Sequence, residues 1–426
     1  MNRKRSFRPA AAGLTLLALF LGGCSASSGT AASQESVEPG SSKEEYAAAL
    51  AGMEPVTLTM QLPSAPKSTT SAPNEAYAAA VEEWSGGKIK FDILYANSRV
   101  TINEMNAALA DGLVDSGMHM PVTEPESFPA NTLAGDLMFL QESTPLAGSM
   151  QLVSSWIEFG AQQEAISNEL EEYGIQPLLP LLPTSGTSLL CNGQAVTSLG
   201  EAKGKQIRAG APSNVPAIEV LGATAVSLPV AEVYQGLQRG VVDCAAGNAV
   251  LANTVGLFEV TTDWTLDPEV QLAGTSMSFG FNKDRWDSLP LAARQLLWDR
   301  LDGYIEQHLA TTVIKQTGEA IGVANKAGVK FHEWAPDARD AIKAHLNSFL
   351  EEAPGQAPKD VDGAAFVEAA KTANDRWKTI ITEDLGFKDD TAWSELDSWI
   401  SENELDVSPL SDRLMEEALL PHRPAA

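Results

Sequence analysis

The amino-acid sequence alternates between strand-like and helix-like segments, and this alternation limits the chain to a few architectures. Period-two alternation of apolar residues predicts strands at 56–63 and 88–95, and a short buried strand at 113–120. Helices are predicted at 74–84 and 102–112, and glycine ends each of them. A strand–helix–strand order is typical of a sheet with crossover helices.

The second half of the chain repeats this order. Strands are predicted at 188–193, 205–210, 224–229, 241–247 and 271–282, with helices near 215–221 and 231–240. The chain is predicted to be helical after the long strand at 271–282. Two similar α/β units joined by long strands predict two lobes with a cleft between them. Ligands of such sheets collect outside the carboxyl ends of the strands.

These patterns predict where each lobe begins and ends. Lobe I is assigned to 54–185 and 274–313, and lobe II to 186–273 and 314–387. The C-terminal helical region should contain a helix that spans both lobes. Residues 388–426 are predicted to form an acidic helical extension, for which the sequence offers either a surface role or a partner contact.

The N-terminus has the features of an exported lipoprotein. Four basic residues precede a short apolar run that ends in Leu-Gly-Gly-Cys. This order predicts a signal peptide at 1–23 and lipid attachment at Cys24, on the outer face of the cytoplasmic membrane or in the periplasm. An ordinary signal peptide with a chance cysteine is the alternative. Residues 24–53 are rich in small and polar residues and are predicted to be a flexible tether.

The formal net charge of -27 limits the partners of this chain. Removal of the signal peptide would bring the charge to about -31. Nucleic acid requires a basic face, so no nucleic-acid partner is expected. The acidity also argues against electrostatic binding to an anionic membrane.

Two cysteines remain besides Cys24, the residue predicted to carry the lipid. An exported protein with two thiols can pair them, so we predict a disulfide between Cys191 and Cys244. Two buried free thiols are the alternative. Their spacing fits no zinc site.

Motifs for nucleotide binding, serine hydrolysis and zinc proteolysis are missing from the sequence. The segment from Ser64 to Lys67 matches S-x-x-K, but Pro66 interrupts the turn that would align the two side chains. The five histidines are scattered without metal-ligand spacing. No enzyme activity, metal or cofactor is therefore expected.

Several motifs, in order, resemble the substrate-binding proteins of TRAP transporters of the C4-dicarboxylate type. Residues 203–248 read KGKQIRAGAPSNVPAIEVLGATAVSLPVAEVYQGLQRGVVDCAAGN, which is similar to the central pattern of that family. The segments GGKIKFDILYANS, EMNAALADGLVDSG and FGFNKDRWDSLP resemble flanking family motifs. The resemblance implies a two-lobed, periplasmic-binding-protein-like (venus flytrap) α/β fold.

The resemblance also implies a receptor that captures a small organic acid and delivers it to the membrane subunits of a TRAP transporter. An ABC-type binding lipoprotein, or a lipoprotein that senses a ligand and signals to a partner, is the alternative. The receptor is expected to be a monomer.

By resemblance, Arg208 binds the ligand carboxylate, because a guanidinium matches a carboxylate in a fork geometry. A structural salt bridge is the alternative for this residue. Asn248 either points an amide into the cleft or caps a turn. The remaining candidates for ligand contact are Thr187, Tyr234, Asn97 and His119, and for His119 a hydrogen-bonded loop position is the alternative.

Overall fold

Residues 36–425 are described by the computed structural model, and within this range the strands form two sheets. The strands are β1 (Val56–Gln61), β2 (Ile89–Leu94), β3 (Ser116–His119), β4 (Ile175–Pro183), β5 (Ser188–Cys191), β6 (Gln206–Ala209), β7 (Thr224–Ser227), β8 (Cys244–Gly247), β9 (Asp263–Thr265), β10 (Ser276–Asn282) and β11 (Lys330–His332).

Helices cover both sheets and make up most of the C-terminal part of the chain. They are α1 (Lys43–Ala49), α2 (Ala72–Trp84), α3 (Met105–Ala110), α4 (Pro129–Asp136), α5 (Ala147–Gln162), α6 (Glu164–Tyr173), α7 (Leu199–Ala202), α8 (Asn214–Val220), α9 (Val230–Gln238), α10 (Ala249–Thr254), α11 (Lys283–Asp287), α12 (Leu291–Asp299), α13 (Leu301–Gln307), α14 (Gln316–Ala327), α15 (Pro336–Glu352), α16 (Gly363–Thr379), α17 (Leu396–Glu402) and α18 (Ser408–Leu414). In the part of the chain so described, no helix is both long and apolar enough to cross a membrane.

The sheet of lobe I has the strand order β2-β1-β3-β10-β4. Strand β1 pairs in parallel with β2 and β3, whereas β10 is antiparallel to both β3 and β4. Phe279 and Phe281 of β10 are fully buried, as expected for an inner strand. This lobe therefore corresponds to the first strand–helix repeat, completed by one strand from the second half.

The sheet of lobe II has the order β11-β9-β5-β8-β6-β7. Strands β5 and β8 are antiparallel, and Cys191 lies opposite Cys244 in their register. The two cysteines form a disulfide with a sequence separation of 53 residues. This bond joins two inner strands of lobe II.

Two strand connections and a helical segment are among the links between the lobes. The chain passes from β4 to β5 and from β9 to β10, and Thr187 pairs with Leu272 in an isolated bridge where these connections run side by side. Helix α13 packs against α2 of lobe I, and α14 packs against α10 of lobe II. The π-helical turn His308–Lys315 joins α13 to α14. The predicted α/β two-lobed fold is confirmed.

One part of the lobe assignment differs from the sequence prediction. Residues 314–387 were assigned to lobe II, but α16 packs against α5 of lobe I. Phe366 of α16 meets Phe159 of α5 edge-on, with 4.9 Å between ring centroids. Burial of this apolar face draws α16 back to lobe I.

The prediction of a flexible tether to residue 53 is wrong for residues 36–53. Helix α1 begins with a capping box formed by Ser42 and Glu45, and Tyr46 is fully buried. The Tyr46 hydroxyl donates a hydrogen bond to Asp299 at 2.5 Å. Residues 1–35, which include the predicted signal peptide and Cys24, lie outside the described residues.

Residues 388–425, which the sequence assigned to an acidic helical extension, contain α17 and α18 and belong to the core rather than to the surface alone. Leu410, Leu414 and Leu419 are fully buried. Helix α18 packs against α13, and α17 packs against α14. The apolar residues between the acidic ones account for this packing.

Candidate ligand-binding site

Arg208 lies near the carboxyl end of β6, where three parallel strands of lobe II end together. Strand β6 pairs in parallel with β7 and with β8. Ile207 packs with Ala217 and Ile218 of α8, and the alternation of the strand turns Arg208 to the other face of the sheet. Arg208 Nε donates a hydrogen bond to the carbonyl oxygen of Leu228 at 3.2 Å. Its Nη1 donates to the carbonyl oxygen of Ala246 at 3.1 Å.

No carboxylate neutralises the guanidinium of Arg208 within residues 36–425. The residue is 5% exposed, and burial lowers the pKa of its guanidinium. Two carbonyl oxygens hold the group, and Nη2 donates no hydrogen bond to any described residue. The alternative of a structural salt bridge is thus contradicted for this part of the chain. A buried cation with free donors favours an anionic partner.

Gly210 leaves room for the guanidinium of Arg208. A Cβ atom at this position would lie 3.0 Å from the carbonyl oxygen of Ala246 and 3.2 Å from Arg208 Nη1. Both distances are tighter than ordinary contact. The lack of a side chain at Gly210 therefore leaves the space in which the guanidinium lies.

A cavity of about 390 Å³ opens between the lobes, directly after this strand end. Lobe I contributes Val122, Asp136 and Phe139, and the loop that follows β6 contributes Ala211 to Ser213. The second half of α15 closes the cavity with His345 and Phe349, among others. Its volume lies in the range of small-molecule sites. Arg208 itself is not among the residues that line it.

The charged groups of the cavity differ from the cation at Arg208. Asp136, His345 and Glu352 line it, and no Lys or Arg does so among the described residues. Burial raises the pKa of the Asp136 carboxyl to about 6. Burial lowers the pKa of the His345 imidazole, and the nearby Glu352 opposes that change. The cavity is thus apolar with an acidic character.

Thr187 and Asn248 lie near the hinge and at the end of β8. Thr187 lines a second, much smaller cavity of about 20 Å³, about the size of one water molecule, beside the strands that connect the lobes. The Asn248 side chain accepts a hydrogen bond from the backbone N–H of Leu251 at 2.8 Å. Asn248 therefore caps helix α10, which is one of the two roles that the sequence left open.

Tyr234 and Asn97 occupy outer positions. The Tyr234 hydroxyl donates to Glu259 at 2.9 Å on the outside of lobe II. Asn97 follows β2 in a left-handed backbone conformation, with φ of 52°, and its N–H donates to the carbonyl oxygen of Leu62. Asn97 therefore shapes the turn at the carboxyl end of the lobe I sheet.

His119 is fully buried at the end of β3. The Asn106 amide donates to Met120 and Glu124, so Asn106 Oδ1 accepts from His119 Nδ1 at 2.9 Å. His119 Nε2 then carries a lone pair and no proton, and it has no hydrogen-bond partner among the described residues. Burial lowers the pKa of this imidazole to about 3, so the ring is neutral. The sequence offered a hydrogen-bonded loop position as the alternative to ligand contact, but His119 lies in the sheet.

None of the six predicted ligand-contact residues lines the large cavity between the lobes, as far as the described residues go. Sequence reasoning found the strand end that carries Arg208 but missed Asp136, Phe139 and Phe349. One signal was available for Asp136: it is the single charged residue in the apolar stretch ANTLAGDLMFL. Residues 36–425 contain no cluster of side chains with the arrangement of a metal site.

The chain matches known solute-binding proteins. The family model described as bacterial extracellular solute-binding protein, family 7, covers residues 62–355. A solute-binding protein of Albidiferax ferrireducens is 25% identical over 263 residues, which are 60% of this chain and 72% of that protein. The ectoine-binding periplasmic protein TeaA of Halomonas elongata is 27% identical over 42% of this chain and 57% of that protein.

Solved structures share the fold. A TRAP periplasmic solute-binding protein from Bordetella bronchiseptica with bound mandelate aligns with a TM-score of 0.64 at 18% identity, over 76% of this chain and 99% of that chain. One from Rhodoferax ferrireducens with copurified benzoate aligns with a TM-score of 0.63 at 18% identity, over the same shares of both chains. The family model spans more than half of the sequence, so the chain belongs to the bacterial extracellular solute-binding protein family 7.

Proposed function

We propose that this protein captures a small organic acid between its lobes and delivers it to the membrane subunits of a TRAP-type secondary transporter. The observation that carries the proposal is the buried guanidinium of Arg208, which has backbone partners but no acid among the described residues. A ligand carboxylate would supply the missing negative charge with charge-assisted hydrogen bonds.

Related proteins support the choice of solute. Relatives of similar fold hold benzoate, mandelate and pyroglutamate, and each of these is a carboxylate. The formal net charge of -27 makes most of the surface repel such anions. A cation at a partly enclosed strand end acts over a short range where solvent screening is weak, so it can bind an acid despite that surface.

The proposal includes location and assembly. Lipid attachment at Cys24 would hold the receptor on the outer face of the cytoplasmic membrane, beside its transporter. The two lobes already form an inter-lobe site within one chain, so a monomer suffices. Binding and release require no bond breaking, and we propose that the protein is not an enzyme.

A thermal-unfolding screen tests the proposal. Benzoate, mandelate, pyroglutamate and galacturonate would each be added to the purified protein, beside the neutral amide of each acid. We expect at least one acid to raise the melting temperature by several degrees and its amide to leave it unchanged. Arg208→Gln should remove this shift, whereas Arg239→Gln, on the exposed end of α9, should retain it. Equal shifts from an acid and its amide would contradict the proposal.

A further inference from the structure

We infer that the cavity of about 390 Å³ between the lobes binds an organic ammonium group, held by the Asp136 carboxylate against the rings of Phe139 and Phe349. The inference deepens the proposed function and rests on it in taking the inter-lobe cleft as the place where solute enters. It assigns a cationic group to the solute, whereas the proposed function assigns to the solute the carboxylate that Arg208 binds.

The first argument is the position of Asp136. It is the last residue of α4, where the unsatisfied carbonyl groups of a helix produce a negative potential. Its carboxylate makes no hydrogen bond and no ion pair within residues 36–425, and the residue is only partly exposed. At neutral pH most of this group carries a negative charge without a partner. A bound cation would neutralise it.

The second argument is the aromatic wall. Phe139 comes from the segment after α4 in lobe I, and Phe349 comes from α15. Their rings meet edge-on, with 6.1 Å between centroids and 70° between planes. Aromatic faces attract ammonium groups through the negative potential of the ring face. Pro125, Pro212 and Leu346 provide the remaining apolar surface, which suits the alkyl groups of an organic amine better than a bare metal ion.

The third argument is the charge balance of the lining. Asp136 and Glu352 are acids, and His345 is neutral at pH 7 because burial lowers its pKa below the ordinary value. The described lining residues include no Lys or Arg that could compete for Asp136 or attract an anion. A cationic group beside Asp136 would therefore be attracted.

Two sources could supply the ammonium group. A free organic cation could occupy the cavity alone, or the solute could carry both an ammonium group and the carboxylate that meets Arg208. The second source is compatible with the chain, because the cavity lining includes Ala211, three residues after Arg208 and next to Gly210, where an added Cβ would lie 3.2 Å from Arg208 Nη1. The shared chemistry is the ammonium group.

Calorimetric titration of the purified protein with three matched probes tests the inference at pH 7.5. The probes are tetramethylammonium, glycine betaine, and tert-butylacetate, in which carbon replaces the quaternary nitrogen of betaine. We expect tetramethylammonium or betaine to bind, and Asp136→Asn to weaken that binding at least tenfold. Glu351→Gln, an exposed neighbour of the cavity on α15, is the matched control and should bind as the wild type does.

A second variant covers the case in which Asp136→Asn perturbs the fold. Phe349→Leu retains an apolar wall but removes the ring, and should weaken binding of the cationic probes several-fold. Cation binding that is unchanged in both Asp136→Asn and Phe349→Leu would overturn the inference. So would tert-butylacetate binding as tightly as betaine.

The probes also separate this inference from the proposed function. Betaine binding that is lost in Asp136→Asn but retained in Arg208→Gln identifies a free cation as the occupant. Betaine binding that is lost in both Arg208→Gln and Asp136→Asn identifies a solute with both charges. If organic acids bind through Arg208 but no cationic probe binds, the inference fails and the proposed function stands. If cationic probes bind through Asp136 but no acid binds, the proposed function fails and the cavity assignment stands.

Discussion

Arg208 owes its position to its own strand and to the small residue that follows it. Two carbonyl oxygens fix Nε and Nη1, and Gly210 leaves the space that the guanidinium fills. This arrangement fixes the direction of the fork before any ligand arrives. Such pre-organisation reduces the entropy lost on binding.

Substitution of Gly210 tests this arrangement. We expect Gly210→Ala to weaken organic-acid binding about tenfold, because the added Cβ would lie 3.2 Å from Arg208 Nη1 and 3.0 Å from the carbonyl oxygen of Ala246. Gly200→Ala is the control, since the nearest atom to its added Cβ is 4.0 Å away. Calorimetric titration with benzoate measures both. Full affinity in Gly210→Ala would show that the guanidinium needs no such clearance.

A second residue cluster ties both ends of the chain to lobe I. Arg423 Nε donates to Asp299 Oδ1 at 2.7 Å, and Arg423 Nη2 donates to Asp299 Oδ2 at 3.1 Å and to the Tyr46 hydroxyl at 2.9 Å. Both members of the ion pair are 8% exposed. The cluster joins residues near each terminus to α12.

Removal of Arg423 should leave the buried carboxylate of Asp299 without its ionic partner. We expect Arg423→Met to lower the free energy of unfolding by about 3 kcal/mol, because Asp299 loses its ionic partner. Urea-induced unfolding provides the measurement. The control is Arg413→Met, at a partly exposed ion pair, which should cost about 1 kcal/mol or less. Equal losses in the two variants would contradict the importance of the buried cluster.

Single residues were predictable only where a motif named them. The motif around Arg208 identified the arginine, and the sequence also placed Asn248 near a turn that it caps. Asp136 was not predicted, because its role depends on a cavity that three distant segments create. The burial of Tyr46 was missed for the same reason, since Asp299 and Arg423 lie far along the chain.

At the scale of elements, the disulfide is the clearest covalent constraint. Cys191 and Cys244 lie opposite each other in β5 and β8, the strands that connect the hinge side of lobe II to the side of Arg208. The bond therefore stabilises the sheet on which the proposed carboxylate contact is built.

Loss of the disulfide should destabilise the protein measurably. We expect the double variant Cys191→Ala/Cys244→Ala to lower the free energy of unfolding by about 2–4 kcal/mol. Dithiothreitol should lower the melting temperature of the wild type and leave that of the double variant unchanged. Modification of both cysteines by an alkylating reagent in the native, unreduced wild type would contradict the pairing.

Most strands and early helices follow from local pattern. Period-two alternation located β1 and β2, and glycine marked the ends of α2 and α3. The π-helical turn between α13 and α14 could not be predicted, because its register depends on packing against both lobes. The elements against which α16 and α18 pack could not be predicted either, because an amphipathic pattern shows that one face of a helix is buried but not which element covers it.

At the scale of the whole molecule, buried histidines make stability depend on pH. Burial lowers the pKa of His308 to about 4 and that of His119 to about 3. Both are neutral in the folded protein and would titrate near 6.5 when unfolded. Their contribution to stability is therefore complete above about 6.5 and is lost as the pH falls toward the folded pKa values.

Comparison of one variant with the wild type isolates this effect. His308→Gln retains a donor for the carbonyl oxygen of Pro183, which His308 Nε2 now contacts at 2.9 Å, but it cannot be protonated. We expect the melting temperature of the wild type to fall more steeply than that of His308→Gln between pH 6.5 and 4. Asp136, whose pKa is raised, acts in the opposite direction, but it is present in both proteins. Parallel pH profiles would contradict a buried neutral imidazole.

The two-lobed architecture was predictable because the strand–helix order repeats along the chain, and the family match confirms it. The predictions of a tether and of a surface extension were wrong in part. Both segments are rich in acidic or small residues, and composition alone does not show whether such a segment has an apolar stripe that a neighbouring helix covers. The cavity between the lobes depends on the arrangement of both lobes and α15 together, so no local pattern could reveal it.

The central claim is that Arg208 binds the carboxylate of the solute. Calorimetric titration of wild type, Arg208→Gln and Arg239→Gln with the most stabilising acid of the screen tests it most directly. We predict saturable binding by wild type and Arg239→Gln, and a loss of roughly 30-fold or more in Arg208→Gln, because one partner of a desolvated charge pair is removed. An Arg208→Gln protein that binds the acid with wild-type affinity would contradict the account.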